Sequence, residues 1–433
     1  MPSNAASPPP RTATQRWWSS SPTRKSPSRV SSPERQGPPL GSELLADIRS
    51  AKGVAGISAG ATSGLSLLVA HVAYGSYVFS GQLAPYATQG VGLVLFGTAA
   101  ACLVIALAGG FRGGVAGLPP ALLLVMALIG STMETEGEAL FVTTTAALML
   151  GATATGALCI LIGRLRLANL VRFIPYPVAS GFVAGIGGAV CLAAMSMMEA
   201  ELSRQNLPAL FEPRVLARWV PGAAFGIGLY LATRRWRNAL LLPIVVVLAA
   251  TAYHLALAGF GIDPAQARAS GLLFVSTMDG AIWPALTPTD FAAVNWAALA
   301  GQIPNILTLM LVALVCITMN TAGLELAANE ELDWEREFQA TGLGSIVAGL
   351  GGGMVGSMIV PASLRSKLLG ATTRLTGIVA ALVIGGAVVF GDGMLELVPV
   401  SLIGGFLFFA GIGMLDEGLV RNRKRLPWTD YGT

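Results

Sequence analysis

From residue 54 onward the chain alternates long apolar runs with short polar connections. Runs at about 54–77, 83–109, 139–163, 177–198, 220–233, 239–258 and 302–327 are judged against the ~20 residues an α-helix needs to cross a bilayer, and they predict seven crossings. Three further stretches, about 118–133, 338–354 and 361–370, are shorter or interrupted. A last apolar block covers 371–391 and 395–420, and hydropathy alone does not fix how many crossings it holds. Before residue 40 the pattern is absent: nine prolines and nine serines surround "SPTRKSPSRVSSPERQGPP", a composition that cannot build a core. Residues 1–45 therefore read as a disordered cytoplasmic tail, 46–420 as one transmembrane domain, and 421–433 as a short basic tail.

Composition sharpens this picture. Only 12% of the 433 residues are charged and 54% are hydrophobic, with a mean hydropathy of +0.67. A soluble domain carries about 25% charged residues, so a polytopic membrane protein is the expected class. The net charge of +4 arises from residues 1–40, which hold six Lys/Arg against one Glu, and it gives no reason to expect nucleic acid as a partner. Cys102, Cys159, Cys191 and Cys316 all lie in apolar runs and read as buried small residues. His71 and His254 stand alone, without a second metal ligand at suitable spacing, and read as packing or interfacial histidines. No cofactor or metal is expected, and no nucleophile–base pair or phosphate loop argues for an enzyme.

Loop charge gives orientation. Basic clusters at Arg112, Arg164/Arg166/Arg172, Arg234/Arg235/Arg237, Lys367/Arg374 and 421–425 alternate with acidic connections at 134–138, 199–212 and 259–301. Under the positive-inside rule this places both termini in the cytoplasm and requires an even number of crossings. "EELDWERE" (330–337) reads as a cytoplasmic linker or a short interfacial helix.

The candidate chemistry lies in two short segments. "GGFRGGVAGLPPALLLV" (109–125) and "GLGGGMVGSMIVPASLRSKLLG" (349–370) each approach a proline-led helix through glycines. Proline suits a first helical turn because its missing N–H would be unpaired there. Extended backbone at membrane depth survives only where protein or a cavity covers it. Two such half-helices at corresponding places point to an inverted-repeat transporter, with helix N-termini that favour an anion near the midplane. In "LVCITMNTAGLELA" (314–327), Asn320 and Glu325 are polar groups within an apolar run, and residues of that kind are functional candidates. Tyr74, in "VAHVAYGSY", offers an amphipathic group to the interior.

The most diagnostic stretch is "LIGRLRLANLVRFIPYPVASGFVAGIGG" (161–188), an Arg-rich turn followed by Phe-Ile-Pro-x-Pro-Val and a glycine-rich helix. With "AYGSYVFSGQLAPY" (73–86), the 324–352 stretch and "VPVSLIGGFLFFAGIGMLDEGLV" (398–420), it resembles the SulP-type sulfate permease and anion transporter family over residues 50–422. Within it, Arg172, Phe173 and Tyr176 suit the cytoplasmic interface, Pro175 and Pro177 the helix start, and Gly181 and Gly185 a close helix contact.

The resemblance implies an all-α polytopic fold: fourteen transmembrane segments in two inverted repeats of seven, core and gate domains, and segments 3 and 10 as half-helices. It implies secondary-active or facilitative transport of a small inorganic or organic anion, sulfate-like or a bicarbonate or dicarboxylate, by an elevator-type movement. By position, substrate would meet Tyr74 on the first segment, Gly117, Leu118, Pro119 and Pro120 on the third, Asn320 on the eighth, and Pro361, Ala362 and Ser363 on the tenth. The carboxylate of proton-coupled members is replaced by Asn320, with Glu325 a candidate for proton or cation coupling. Ala70 stands where a glutamine is frequent, and Pro361-Ala362-Ser363 where Ser-Arg-Ser is. Most family members carry a STAS domain after the last segment, where this chain has "RNRKRLPWTDYGT". Expected partners are the anion, the lipid bilayer and a second copy of the chain in a homodimer. Alternative readings are a nucleobase-type permease of the same fold and a non-transporting membrane scaffold or regulator.

Overall fold

The computed structural model describes residues 40–167, 176–200, 208–236, 238, 240–275, 282–283, 290–391 and 395–420. The basic tail at 1–39, Arg172, Phe173 and Pro175 of the diagnostic stretch, Arg237, and the residues after 420 lie outside this set. The chain divides after Glu43, and the account below concerns the unit beginning at Leu44.

Twelve helices of nine or more residues follow residue 50 among the described residues. They are α1 (Ala51–Val78), α2 (Ala87–Ala108), α3 (Leu123–Ser131), α4 (Gly137–Arg164), α5 (Tyr176–Met197), α6 (Pro213–Arg235) and α7 (Leu241–Gly259). In the second half come α8 (Ile303–Ala328), α9 (Trp334–Leu350), α10 (Val360–Leu368), α11 (Leu375–Phe390) and α12 (Val400–Leu415). Among the described residues, eight helical stretches are long and apolar enough to cross a membrane: the seven expected from the sequence, and Val400–Leu419 from the last apolar block. The two broken segments are short, as expected: a turn of 3₁₀-helix at Pro120–Leu122 leads into α3, and α10 has nine residues.

Two expected boundaries shift, and both shifts have a charged residue behind them. The span read as 220–233 begins at Pro213, because Arg218 sits inside the helix, 6% exposed, paired with Glu199 and donating to the Ser270 carbonyl. The stretch 330–337 is a linker only as far as Asp333, whose side chain caps α9 by accepting from the Arg336 N–H at 3.0 Å. Glu337 is then a buried helical residue, 2% exposed. Its Oε1 accepts from the N–H groups of Gly110 and Phe111 at 2.7 and 2.8 Å, which is what makes its burial tolerable.

The helices interlock in two sets. In one, α9 packs along α4 and α2, α11 packs along α1 and α2, and α8 rests on α4. In the other, α12 packs along α5 and α6. Close approach in the second set uses Gly187 of α5 and Gly411 of α12: a Cβ on Gly411 would lie 2.9 Å from the Gly187 carbonyl oxygen. The expected contact glycines, Gly181 and Gly185, have open space beside them. The 3.6-residue period explains this: Gly187 lies on another face of α5 from that pair.

In the first set one close approach is backbone on backbone. A Cβ on Gly353, in the strand-like run after α9, would lie 2.4 Å from the Gly97 Cα of α2. No side chain can yield there, so larger residues must push the two segments apart. Gly353→Val should lower stability by roughly 1–3 kcal/mol, read as a reduced melting temperature in detergent. Gly385→Ala on α11, where a Cβ meets open space, should not lower it. Equal melting of both variants and the parent would refute the close contact.

Candidate substrate site

Where α2 ends, residues 109–119 run to the half-helix start without α-helix; where α9 ends, residues 351–359 do the same before α10. The two runs meet as a two-stranded antiparallel pair, β1 (Ala116–Gly117) with β2 (Ser357–Met358), in the register Ala116↔Met358 and Gly117↔Ser357. Proline at both half-helix starts removes N–H groups that would otherwise need partners, and glycine supplies the turns: Gly113 holds φ +86° with the Ala371 carbonyl pressed against it.

Every expected site residue falls at or beside this crossing except Glu325. Ile359 N–H donates to the Val115 carbonyl at 2.9 Å. The Ser363 hydroxyl, fully buried, accepts from the Val115 N–H at 3.0 Å and donates to its carbonyl at 3.2 Å. Ser363 therefore clips the first half-helix's approach to α10, and its hydroxyl is engaged with backbone. Asn320, on α8, donates from Nδ2 to the Ser357 Oγ at 3.1 Å and so leans on β2. Gly117 cannot bear a side chain, because a Cβ would lie 2.8 Å from the His71 Nε2. Tyr74 is 6% exposed, with its ring centroid 5.2 Å from that of His71. Its hydroxyl makes no hydrogen bond among the described residues.

Glu325 stands apart, on the last turn of α8. It accepts from the Trp334 indole N–H, joining the end of α8 to the start of α9.

Sequence reading missed the part His71 takes in this site. It is fully buried in α1; Nδ1 lies 2.7 Å from the Leu67 carbonyl oxygen and Nε2 2.9 Å from the Leu118 nitrogen. A carbonyl can only accept and an amide N–H can only donate, so Nδ1 carries the proton and Nε2 is a lone-pair acceptor. The imidazole is neutral in this arrangement. The available signal was spacing: His71 is three residues before Tyr74, the neighbouring position on one helical face.

The unpaired donors of the half-helix ends can be counted. Leu118 is occupied by His71, Pro119, Pro120 and Pro361 have none, and Ser363 N–H bonds to the Ile359 carbonyl. Ala121, Val360 and Ala362 donate to no acceptor outside their own helices among the described residues. A separate polar cavity of about 610 Å³ lies beside the α2–α3 turn, edged by Lys52, Arg112, Asp333, Arg336 and Lys367. Neither Tyr74, Gly117, Asn320 nor Ser363 lines it.

Crossed half-helices joined by a short antiparallel pair, within a bundle of membrane-length helices, define a multi-pass membrane protein whose broken helices meet at one point. The sequence profile of the sulfate permease family matches residues 54–427, and the chain belongs to that family. Two curated relatives are the vacuolar basic amino acid transporter VSB1 of Saccharomyces cerevisiae and the bicarbonate transporter BicA of Picosynechococcus. The first is 22% identical over 313 residues, 70% of this chain and 30% of the relative. The second is 23% identical over 315 residues, 70% of this chain and 52% of the relative. The chain thus spans at most about half the length of the curated relatives it matches. Among solved structures, the transmembrane domain of a cyanobacterial BicA aligns with TM-score 0.69 at 18% identity, covering 88% of this chain and 94% of that one. The murine Slc26a9 anion transporter aligns with TM-score 0.67 at 14% identity, covering 100% and 72%. The family and these relatives are transporters, not enzymes.

Ser363→Ala should leave the Val115 N–H buried and unpaired, at a cost of roughly 1–3 kcal/mol. The expected readout is a lower melting temperature, with Ser363→Thr, which keeps the hydroxyl, closer to the parent. An unchanged melting temperature for Ser363→Ala would show that the clip does not hold the crossing.

Proposed function

We propose that the chain carries a small anion across the membrane, the anion binding between the two half-helix ends and moving with them by an elevator-type displacement. The observation that carries this reading is the β1–β2 crossing, which sets the N-termini of α3 and α10 at one place. Each such terminus is worth roughly 0.3–1 kcal/mol to an anion, more where it is partly buried. Family membership and the names of the BicA and Slc26a9 relatives support an anion such as bicarbonate or sulfate.

The packing favours two inverted repeats of seven. Exchanging α2 with α9 and α4 with α11 turns the α9–α4 contact into α2–α11 and leaves β1 paired with β2. On this reading the set α1–α4 and α8–α11 is the moving core, and α5–α7 with α12 the gate. Both termini face the cytoplasm, as the loop charges require. Tyr74, Gly117, Leu118, Pro119, Pro120, Asn320, Pro361, Ala362 and Ser363 then form the walls of the site. The Ser363 hydroxyl shapes the wall; the neighbouring backbone N–H groups supply contacts. A homodimer is proposed for the assembly.

A second reading has one observation in its favour: the VSB1 relative is by name a basic amino acid transporter. A cationic substrate would need a carboxylate, and Glu325 is the α8 candidate, displaced toward the helix end and bonded to Trp334.

Uptake of radiolabelled sulfate, bicarbonate, succinate and arginine into proteoliposomes separates these readings. Saturable uptake of one of the three anions is expected, reduced about three- to tenfold by Asn320→Ala, which removes a hydrogen bond at β2. Thr251→Ala, on the largely exposed α7, should transport like the parent. Uptake of arginine alone would favour the second reading. Uptake of none by folded protein would leave the scaffold.

A further inference from the structure

The half-helix ends hold no fixed positive side chain, and proline has removed three of their donors (Pro119, Pro120 and Pro361). An anion entering here would meet few N–H groups, with the Leu118 donor already spent on His71. We propose that His71 is the proton-carrying residue of this site, binding one proton together with each anion, so that transport is proton-coupled without a carboxylate on α8. The proposal rests on the anion reading above and names the coupling of that same site.

The geometry gives the reason. Nδ1–H is committed to the Leu67 carbonyl, so an incoming proton can attach only at Nε2. That nitrogen then stops accepting, and the Leu118 N–H loses its partner. One proton therefore produces two new donors at the mouth of the first half-helix: the Leu118 N–H and the Nε2–H of an imidazolium. Both lie against Gly117, where a side chain would collide with the imidazole ring.

Burial makes the two events dependent on each other. An imidazolium alone in this place is costly, because no opposite charge offsets its desolvation. An anion alone meets a lone pair at Nε2 and too few donors. Together each supplies what the other lacks, and linkage requires that each raise the other's affinity by the same factor. On leaving, the anion takes away the partner charge, the proton returns to water from Nε2, and the Leu118 bond closes again. One proton and one anion have then crossed.

Among the described residues, no acid or base is hydrogen-bonded to the imidazole. On its own helix the titratable neighbour is Tyr74, a phenol beside the ring. From the strand pair and α10 it is faced by Leu118, Gly117 and Ile359. The charges on neighbouring elements are engaged elsewhere: Glu325 with Trp334, and Lys367 with Glu330 and the Ala328 carbonyl. Arg365 lies further along α10, near its last turn.

The test counts protons. Binding of sodium sulfate, sodium bicarbonate and sodium succinate to the purified chain is measured by calorimetry in two buffers of different ionisation enthalpy, and again one pH unit lower. The parent is expected to take up one proton per anion and to tighten about tenfold per unit fall in pH. His71→Gln, whose amide oxygen can still accept from Leu118 but cannot be protonated, should bind with no proton uptake and a flat pH profile. His71→Asn serves as a second variant, leaving Leu118 N–H free, and should be equally flat. Proton uptake near zero in the parent overturns the proposal even if neither variant folds, and so does an unchanged uptake in a folded variant. Failure of the parent to bind or transport any of the three anions overturns the anion reading itself, and this proposal with it.

Discussion

The structure depends on one constraint: backbone that leaves the helix inside a membrane must find other hydrogen-bond partners, because lipid supplies none. Among the described residues two such breaks occur, and each is satisfied in part by the other half of the chain. β1 pairs with β2, Ile359 and Ser363 bond to Val115, Ala116 N–H reaches the Cys102 sulfur at 3.5 Å, and His71 takes the Leu118 N–H. Asn320 and Ser345 complete the second break through the Ser357 hydroxyl and the Gly356 carbonyl. The candidate site is thus a by-product of mutual repair: the same pairing that makes the breaks tolerable brings the two N-termini together.

A second layer of charged side chains fixes where the first break begins. Arg374 Nη1 donates to the carbonyls of Ala106, Leu107 and Gly109 at 2.8–3.0 Å, and Arg336 Nε to Ala108 at 3.0 Å. These guanidinium groups close the exposed carbonyl end of α2, where positive charge is favoured. Glu337 then takes the next two N–H groups, at Gly110 and Phe111. The turn from α2 toward the half-helix is held at both its acceptor and its donor side. Two of the three residues come from α9 and the third from the start of α11, so the halves are joined here a second time.

How much of this was legible depended on how local its cause was. Membrane spans could be read because crossing length and apolarity are properties of one segment, and the half-helices because proline and glycine mark their own positions. Arg218 and Glu337 misplaced boundaries because a charge in a helix looks like a loop until its partner is known, and the partners are 52 residues away at Ser270 and 227 at Gly110. Gly181 and Gly185 were chosen by spacing, whereas Gly187 makes the contact, since spacing cannot say which face meets a neighbour. Ser363 could be placed at the crossing by resemblance, but its commitment to Val115 lies 248 positions away in sequence. The part His71 takes was hidden for the same reason: a lone histidine acquires that role only when Leu118 is folded against it.

That last residue bears on how a site without fixed charge can prefer an ion. A permanent arginine between the half-helices would attract an anion strongly and release it slowly, and its charge would have to be offset when the site is empty. A neutral imidazole that already serves as a backbone acceptor carries no such cost in the empty state, because its proton and its lone pair are both used. Conversion to a donor happens only when a proton arrives, and it undoes one hydrogen bond of the crossing in doing so. On the proposed route, binding would draw on the interaction that holds the break closed and so tie occupancy of the candidate site to the conformation of the first half-helix. The element that stabilises the fold and the element that would sense the ion are, at Leu118, the same hydrogen bond.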